Sequence, residues 1–204
     1  MKKFHIFLLA LVLSFSIMGT ATNAAPLPLQ DNGGGLIYDP NLSINGSNGI
    51  TWYEYSYSST NWADANNWAT TLQVNVGGTN VGGWGLPTTP GTAIGYTDEG
   101  QMGYLYYDEL GNTKGGPLTN VGPFANLQPH YYWSGTEYAS NNVSAWYFDF
   151  DDGIQYVYNK RSISDALAVH PGDVGAASVP EPATMLLLGL GLIGVAGVRR
   201  KLKK

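Results

Sequence analysis

The 204-residue chain contains no cysteine. That excludes disulfides, thiolate zinc sites and cysteine nucleophiles. Charge is also scarce: 12% of residues are charged, about half the ~25% usual in soluble domains. Positive charge is scarcest where a fold has to be. Seven of the ten basic residues sit at the ends: Lys2, Lys3, Arg199, Arg200, Lys201, Lys203 and Lys204. Between residues 25 and 179, fourteen acidic residues face only Lys114, Lys160 and Arg161, a net of 11 negative charges. A surface of that sign makes nucleic acid a poor partner and disfavours sulfated polysaccharides. The familiar catalytic signatures G-x-S-x-G, H-E-x-x-H, the P-loop and paired carboxylates are missing too.

What is present is aromatic. All 6 Trp and all 14 Tyr lie in this middle stretch. Such a composition argues against disorder, and ~150 residues can bury a sizeable core.

The N-terminus reads as a secretory signal peptide over 1–24. Lys2 and Lys3 give the positive start, Phe7 to Met18 the short apolar run, and Thr22 and Ala24 the small residues before the scissile bond. Cleavage is expected after Ala24, because cleavage one residue later would place Pro26 at the poorly tolerated +1 position. At the other end, a small-residue linker over 175–182 closes on Pro180, Glu181 and Pro182. An uncharged Leu/Ile/Gly segment, 183–198, follows, and then a basic tail, 199–204. Sixteen residues at a 1.5 Å rise span roughly 24 Å, short of the ~30 Å hydrocarbon core. Snorkelling basic side chains and local thinning let such a segment span. Basic residues on the cytoplasmic side place the body outside.

A Pro-Glu-Pro tripeptide, a short Gly/Leu-rich span and an Arg-rich end resemble the PEP-CTERM protein-sorting tail. The resemblance implies recognition by a membrane-embedded exosortase. Pro180, Glu181, Pro182, Arg199 and Arg200 would be the recognised residues. The prolines hold the backbone extended, the form a protease reads.

In the body, 25–174, short strands are expected at Leu36–Asp39 and Ile50–Tyr53. A helix is expected from Ser59 or Thr60, as N-cap, to Leu72. Its inner face is Trp62, Ala65, Ala69 and Leu72, and Gly77 and Gly78 lie beyond its end. A second helix is expected from Asp98 to Leu110, capped by Thr97 and stopped by Gly111, with Met102, Leu105 and Tyr106 inward. The last third reads as β. Its strands run at Tyr131–Ser134, around Trp146, Phe148 and Phe150, through Ile154, Tyr156 and Tyr158, and at Ala166–Val169. Asp151, Asp152 and Gly153 make the hairpin turn between the second and third. The fold class is α+β.

The order of motifs resembles the Lcl C-terminal-like domain family. It runs through Gly34–Asp39, Ile50–Trp52, Trp62–Ala65, Trp84–Thr88, Leu105–Asn112, Tyr132–Tyr138, Ala145–Trp146 and Ala166–Val169. The resemblance implies a C-type-lectin-like fold, related to formylglycine-generating enzymes. The chemistry of those enzymes needs cysteine, which this chain lacks.

Three kinds of candidate site follow. Asp149, Asp151 and Asp152 could offer oxygens to calcium, but Gly153 falls one position early for a D-x-[DN]-x-[DN]-G loop. A hairpin turn is the preferred reading. His130 and His170 belong to no motif. The glycine runs at 82–85 and 115–116 neither follow a strand nor open a helix, as a nucleotide site requires. The aromatic candidates are Tyr53, Tyr55 and Tyr57, alternating along one strand, and the adjacent Tyr132 and Trp133. Such rings stack on the apolar C–H faces of sugars. The expectation is an exported, exosortase-processed, non-enzymatic surface or matrix protein, structural or adhesive in an exopolysaccharide setting. It would pass the inner membrane, be held with its body in the periplasm, and then reach the outer surface. Its partners would be signal peptidase, exosortase and a neutral exopolysaccharide. A carbohydrate-binding module is the alternative, and an enzyme the least favoured. No cofactor is expected.

Overall fold

The computed structural model describes residues 25–175. The signal-peptide, Pro-Glu-Pro, membrane-segment and basic-tail readings all lie outside the described residues. Among the described residues, no helix is long and apolar enough to cross a membrane.

The body is mostly β-sheet with two short helices, which agrees with the α+β class. Ten strands occur in chain order: β1 (Gln30–Asp31), β2 (Leu36–Asp39), β3 (Ile50–Thr60), β4 (Val74–Val76), β5 (Thr79–Val81), β6 (Gly95–Tyr96), β7 (Tyr131–Glu137), β8 (Ser144–Asp149), β9 (Ile154–Asn159) and β10 (Ser164–Pro171). Eight of them form one sheet in the order β1-β2-β3-β10-β7-β8-β9-β6, and β4 and β5 form a separate hairpin. The last strand is therefore inserted at the centre, antiparallel to β3 and parallel to β7. Its sequence explains that place. Ser164 through Val169 are all buried, so the strand is covered on both faces, as the small apolar run Ala166–Val169 permits, while Asp165 is paired with His130.

Each face carries its own core. On one face Ile37, Trp52, Val169, Leu167, Tyr132 and Phe148 meet Met102, Leu105, Tyr106 and Leu110 from the second helix, and Phe124 and Leu127 from the loop after it. On the other face Leu36, Ala168, Ala166, Trp133 and Ala145 meet Ala65 and Ala69 of the first helix, with Val74, Trp84 and Leu86. Small alanines on β10 let that helix approach closely.

Two helix expectations need correction. Helix α1 spans Trp62–Thr71, and its N-cap is Asn61, whose side-chain oxygen accepts from the Asp64 N–H at 3.1 Å. Thr60 is instead the last residue of β3, which runs seven residues past the expected end. Helix α2 is only Gln101–Tyr104 and continues as a π-helical turn over Leu105–Glu109. Thr97 does not cap it. Gly100 precedes it at φ +85°, and a Cβ on Gly103 would lie 2.6 Å from the Thr97 carbonyl oxygen. The glycines that weaken helical propensity here are thus required by close packing.

Candidate functional site

In antiparallel sheets, directly paired residues share a face. Tyr131 pairs with Asp149, Trp133 with Tyr147, Tyr147 with Tyr156, and Ala145 with Tyr158. These side chains therefore line one face of β7–β8–β9. Helix α1 and its neighbours bury Trp133 and Ala145 there and half-bury Tyr147, but leave Tyr131, Tyr156 and Tyr158 exposed. Tyr131 and Tyr158 are 52% and 53% exposed. Ile163, at the end of the connection from β9, and Ser164, the first residue of β10, come against the same surface. The result is a cavity of about 230 Å³ lined by Tyr131, Tyr147, Tyr158, Ile163 and Ser164.

Tyr147 is the hub of the group. Its ring centroid lies 5.4 Å from that of Tyr131 at 86°, 5.9 Å from Tyr158 at 69°, and 6.4 Å from Tyr156 at 61°. Edge-to-face contacts of this kind contribute ~0.5–1.5 kcal/mol each beyond area burial. The acidic turn colours the site electrically. The charge of Asp149 is the main cause raising the Tyr131 hydroxyl, aided by burial and by Asp152 and Asp151. Burial, then Tyr131 and Asp149, push the Tyr147 hydroxyl up to about 12.

The aromatic residues singled out in the sequence fare differently. Tyr132 and Trp133 are fully buried on opposite faces of the sheet. Adjacent residues of a strand point opposite ways, so the two cannot form one platform. The Trp133 Nε1 donates to the Thr60 carbonyl at 3.0 Å, and the Tyr132 hydroxyl accepts from the Gln128 N–H at 3.1 Å. Neither ring faces a surface ligand. Tyr53 and Tyr55 touch at 5.3 Å, and Tyr53 continues to Trp84 at 5.7 Å. Tyr57 departs from them and stacks on Trp68 of α1 at 5.5 Å and 12°. The pairing register is interrupted between them: residues 54–56 of β3 stand opposite a single residue of β10. Tyr55 and Tyr57 remain exposed.

Sequence reading passed over Tyr147, Tyr156 and Tyr158 as ligand candidates. Their signal was present in the alternation of β8 and β9. What hid it was Gln155. This polar residue takes the buried position of β9, and its Nε2 donates to the Ala93 carbonyl at 2.8 Å. The tyrosines take the outer one.

The acidic turn forms a hairpin. Asp149 Oδ1 accepts from the Asp151 N–H at 2.8 Å, Asp152 Oδ1 accepts from the Ile154 N–H at 3.0 Å, and Gly153 adopts φ +84°. Two carboxylates thus serve the backbone of the turn. Among the described residues, no group of three or more His, Cys, Asp or Glu is placed to hold a metal ion. His130 Nδ1 meets Asp165 Oδ2 at 2.8 Å, and the His170 ring packs 5.2 Å from Trp84. A second, shallower cavity of about 400 Å³ lies beyond α2, between Thr88, Asp98, Gln101 and Tyr104.

Residues 178–201 match the PEP-CTERM protein-sorting motif. The chain is thereby marked as an exported protein directed to an exosortase, with a membrane-anchoring sorting tail at its C-terminal side. No curated protein and no solved structure matches the chain.

Proposed function

We propose that this protein is a non-enzymatic surface or matrix component, structural or adhesive, delivered to an exopolysaccharide or biofilm setting by exosortase processing. The observation that carries the reading is the sorting motif at 178–201. Its Pro-Glu-Pro element lies just beyond a body that ends in the sheet, so one cut near Pro180–Pro182 releases the whole fold. In a diderm cell the body is held in the periplasm before release to the outer surface. The body supports an adhesive role by its aromatic surface, in which Tyr55, Tyr57, Tyr131, Tyr156 and Tyr158 are exposed. Such rings contact sugar faces without drawing on the scarce charge. The order of motifs from Gly34 to Val169 supports placing the body with Lcl C-terminal-like domains and their C-type-lectin-like fold.

The test is processing in a host that carries an exosortase. Signal peptidase should leave Ala25 as the first residue, and intact mass should show that released protein lacks the Arg-rich end. Replacing Glu181 with Ala should leave a longer, membrane-retained form. Released protein that still carries residues 183–204 would refute the reading.

A further inference from the structure

The tyrosine cavity is chemically more specific than an exposed aromatic patch. A neutral sugar ring stacks on a flat platform, one ring or several in a plane. Here Tyr131 and Tyr158 stand at 86° and 69° to Tyr147. Rings so disposed form walls of a pocket rather than a platform, and an aromatic wall attracts a cation that meets its face. Walls of that kind suit a compact cation, which gains from every ring it meets.

Charge points the same way. Asp149 is the cross-strand partner of Tyr131 on this face, and Asp151 and Asp152 follow in the turn. Of the two basic residues in the connection from β9 to β10, Lys160 is already engaged. Its Nζ lies 2.8 Å from Glu137 Oε1 and 4.4 Å from the centroid of the Trp62 ring. Arg161, which is exposed, is the other. Size is a third constraint. A cavity of about 230 Å³ falls below the roughly 300–1,000 Å³ of pockets for drug-sized ligands, so it suits one headgroup or one sugar unit.

We propose that Tyr131, Tyr147 and Tyr158 form an aromatic cage for an organic ammonium group, as carried by an amino-sugar polymer or a choline headgroup. Binding consists of cation–π contact inside the cage with the turn carboxylates as the surrounding negative field. It is a property of the folded body and does not depend on how the tail is processed.

The released protein is titrated with tetramethylammonium chloride, choline, an oligosaccharide of glucosamine and the N-acetylated form of the same oligosaccharide, with calorimetry and tyrosine fluorescence as readouts. Tetramethylammonium should saturate in the millimolar range and perturb tyrosine emission. The free-amine oligosaccharide should bind at least tenfold more tightly than the N-acetylated one. Choline outcompeting the amino sugar would uphold the cage and assign a choline headgroup as its source. Tyr158→Ala should weaken binding at least tenfold, whereas Tyr158→Phe, which keeps the ring, should stay within about threefold of the parent. Arg161→Ala should tighten binding and Asp151→Asn should weaken it. Equal affinity for the two oligosaccharides would replace the cage with ring stacking. Failure of tetramethylammonium to saturate, or equal loss in the Ala and Phe variants, would overturn the proposal.

Discussion

Trp133 and Tyr55 show how little a residue type says about its duty. Both are aromatic, and both sit in strands. Trp133 has no exposed surface and donates its indole N–H to Thr60, within the core that α1 closes. Tyr55 is 49% exposed and leans on Tyr53. Truncating a fully buried Trp costs ~3–5 kcal/mol through lost transfer energy and the cavity left behind. Removing the exposed tyrosine costs about 1 kcal/mol, chiefly its ring contact. At the 2–4 °C per kcal/mol expected for domains of about 150–250 residues, Trp133→Ala should lower the melting temperature by on the order of 10 °C. Tyr55→Ala should move it by only a few degrees. Thermal melts of the two variants check this, and equal shifts would contradict the burial assigned here. From sequence the two were equivalent candidates, because alternation along a strand defines two faces without saying which is covered.

The π-helical turn at Leu105–Glu109 and strand β2 are joined by an acidic contact with a pH signature. Asp39, at the end of β2, is fully buried and accepts from the Asn41 N–H at 2.9 Å and the Trp52 Nε1 at 3.3 Å. Glu109 accepts from the Asn41 Nδ2 at 2.7 Å, and the Asp39 carboxylate lies close enough for its charge to act on it. Burial first, then the charge of Asp39, push the Glu109 carboxyl up to about 7. Burial also raises Asp39. A carboxyl raised above its unfolded value holds its proton better in the native state. Its contribution to stability is therefore fully present below the ordinary value of 4.5 and is lost as pH rises through about 7. Melting temperature measured from pH 4 to 9 should fall across that window. Glu109→Gln, which stays neutral, should flatten the fall, and an unchanged slope in the variant would remove Glu109 as its cause. The sequence signalled an inward-facing helix here through Met102, Leu105 and Tyr106, and all three are buried. It did not signal the carboxyl pair, whose members are seventy positions apart and meet only because β2 packs beside the turn.

For the whole molecule, the body's 11 net negative charges matter more than any single ion pair. Like charges on a body and a polyanion repel over a Debye length, and added salt only screens that repulsion. Released protein passed over immobilised heparin should therefore elute unretained at both low and high salt. Tight retention that fades with salt would reveal a basic patch around Lys160 and Arg161 strong enough to outweigh the rest. The same sign of charge agrees with the preference for a cation at the tyrosine cage, although the two results are separable.

The sequence by itself determined what depends on local order and composition. The sorting tail is a contiguous string, and its match at 178–201 needs no fold. The acidic body, the absence of thiol chemistry, the Asp-Asp-Gly turn and the inner face of α1 at Ala65 and Ala69 likewise follow from neighbouring residues. Tertiary structure decided everything that turns on which face is covered. It buried Tyr132 and Trp133, stacked Tyr57 on Trp68 of α1, and left Tyr131, Tyr147 and Tyr158 around one cavity. The physical reason lies in β10, whose insertion between β3 and β7 sets which strands α1 can reach. A helix of ten residues, about 15 Å long, covers part of an eight-stranded sheet and no more, so the far tyrosines stay open to solvent.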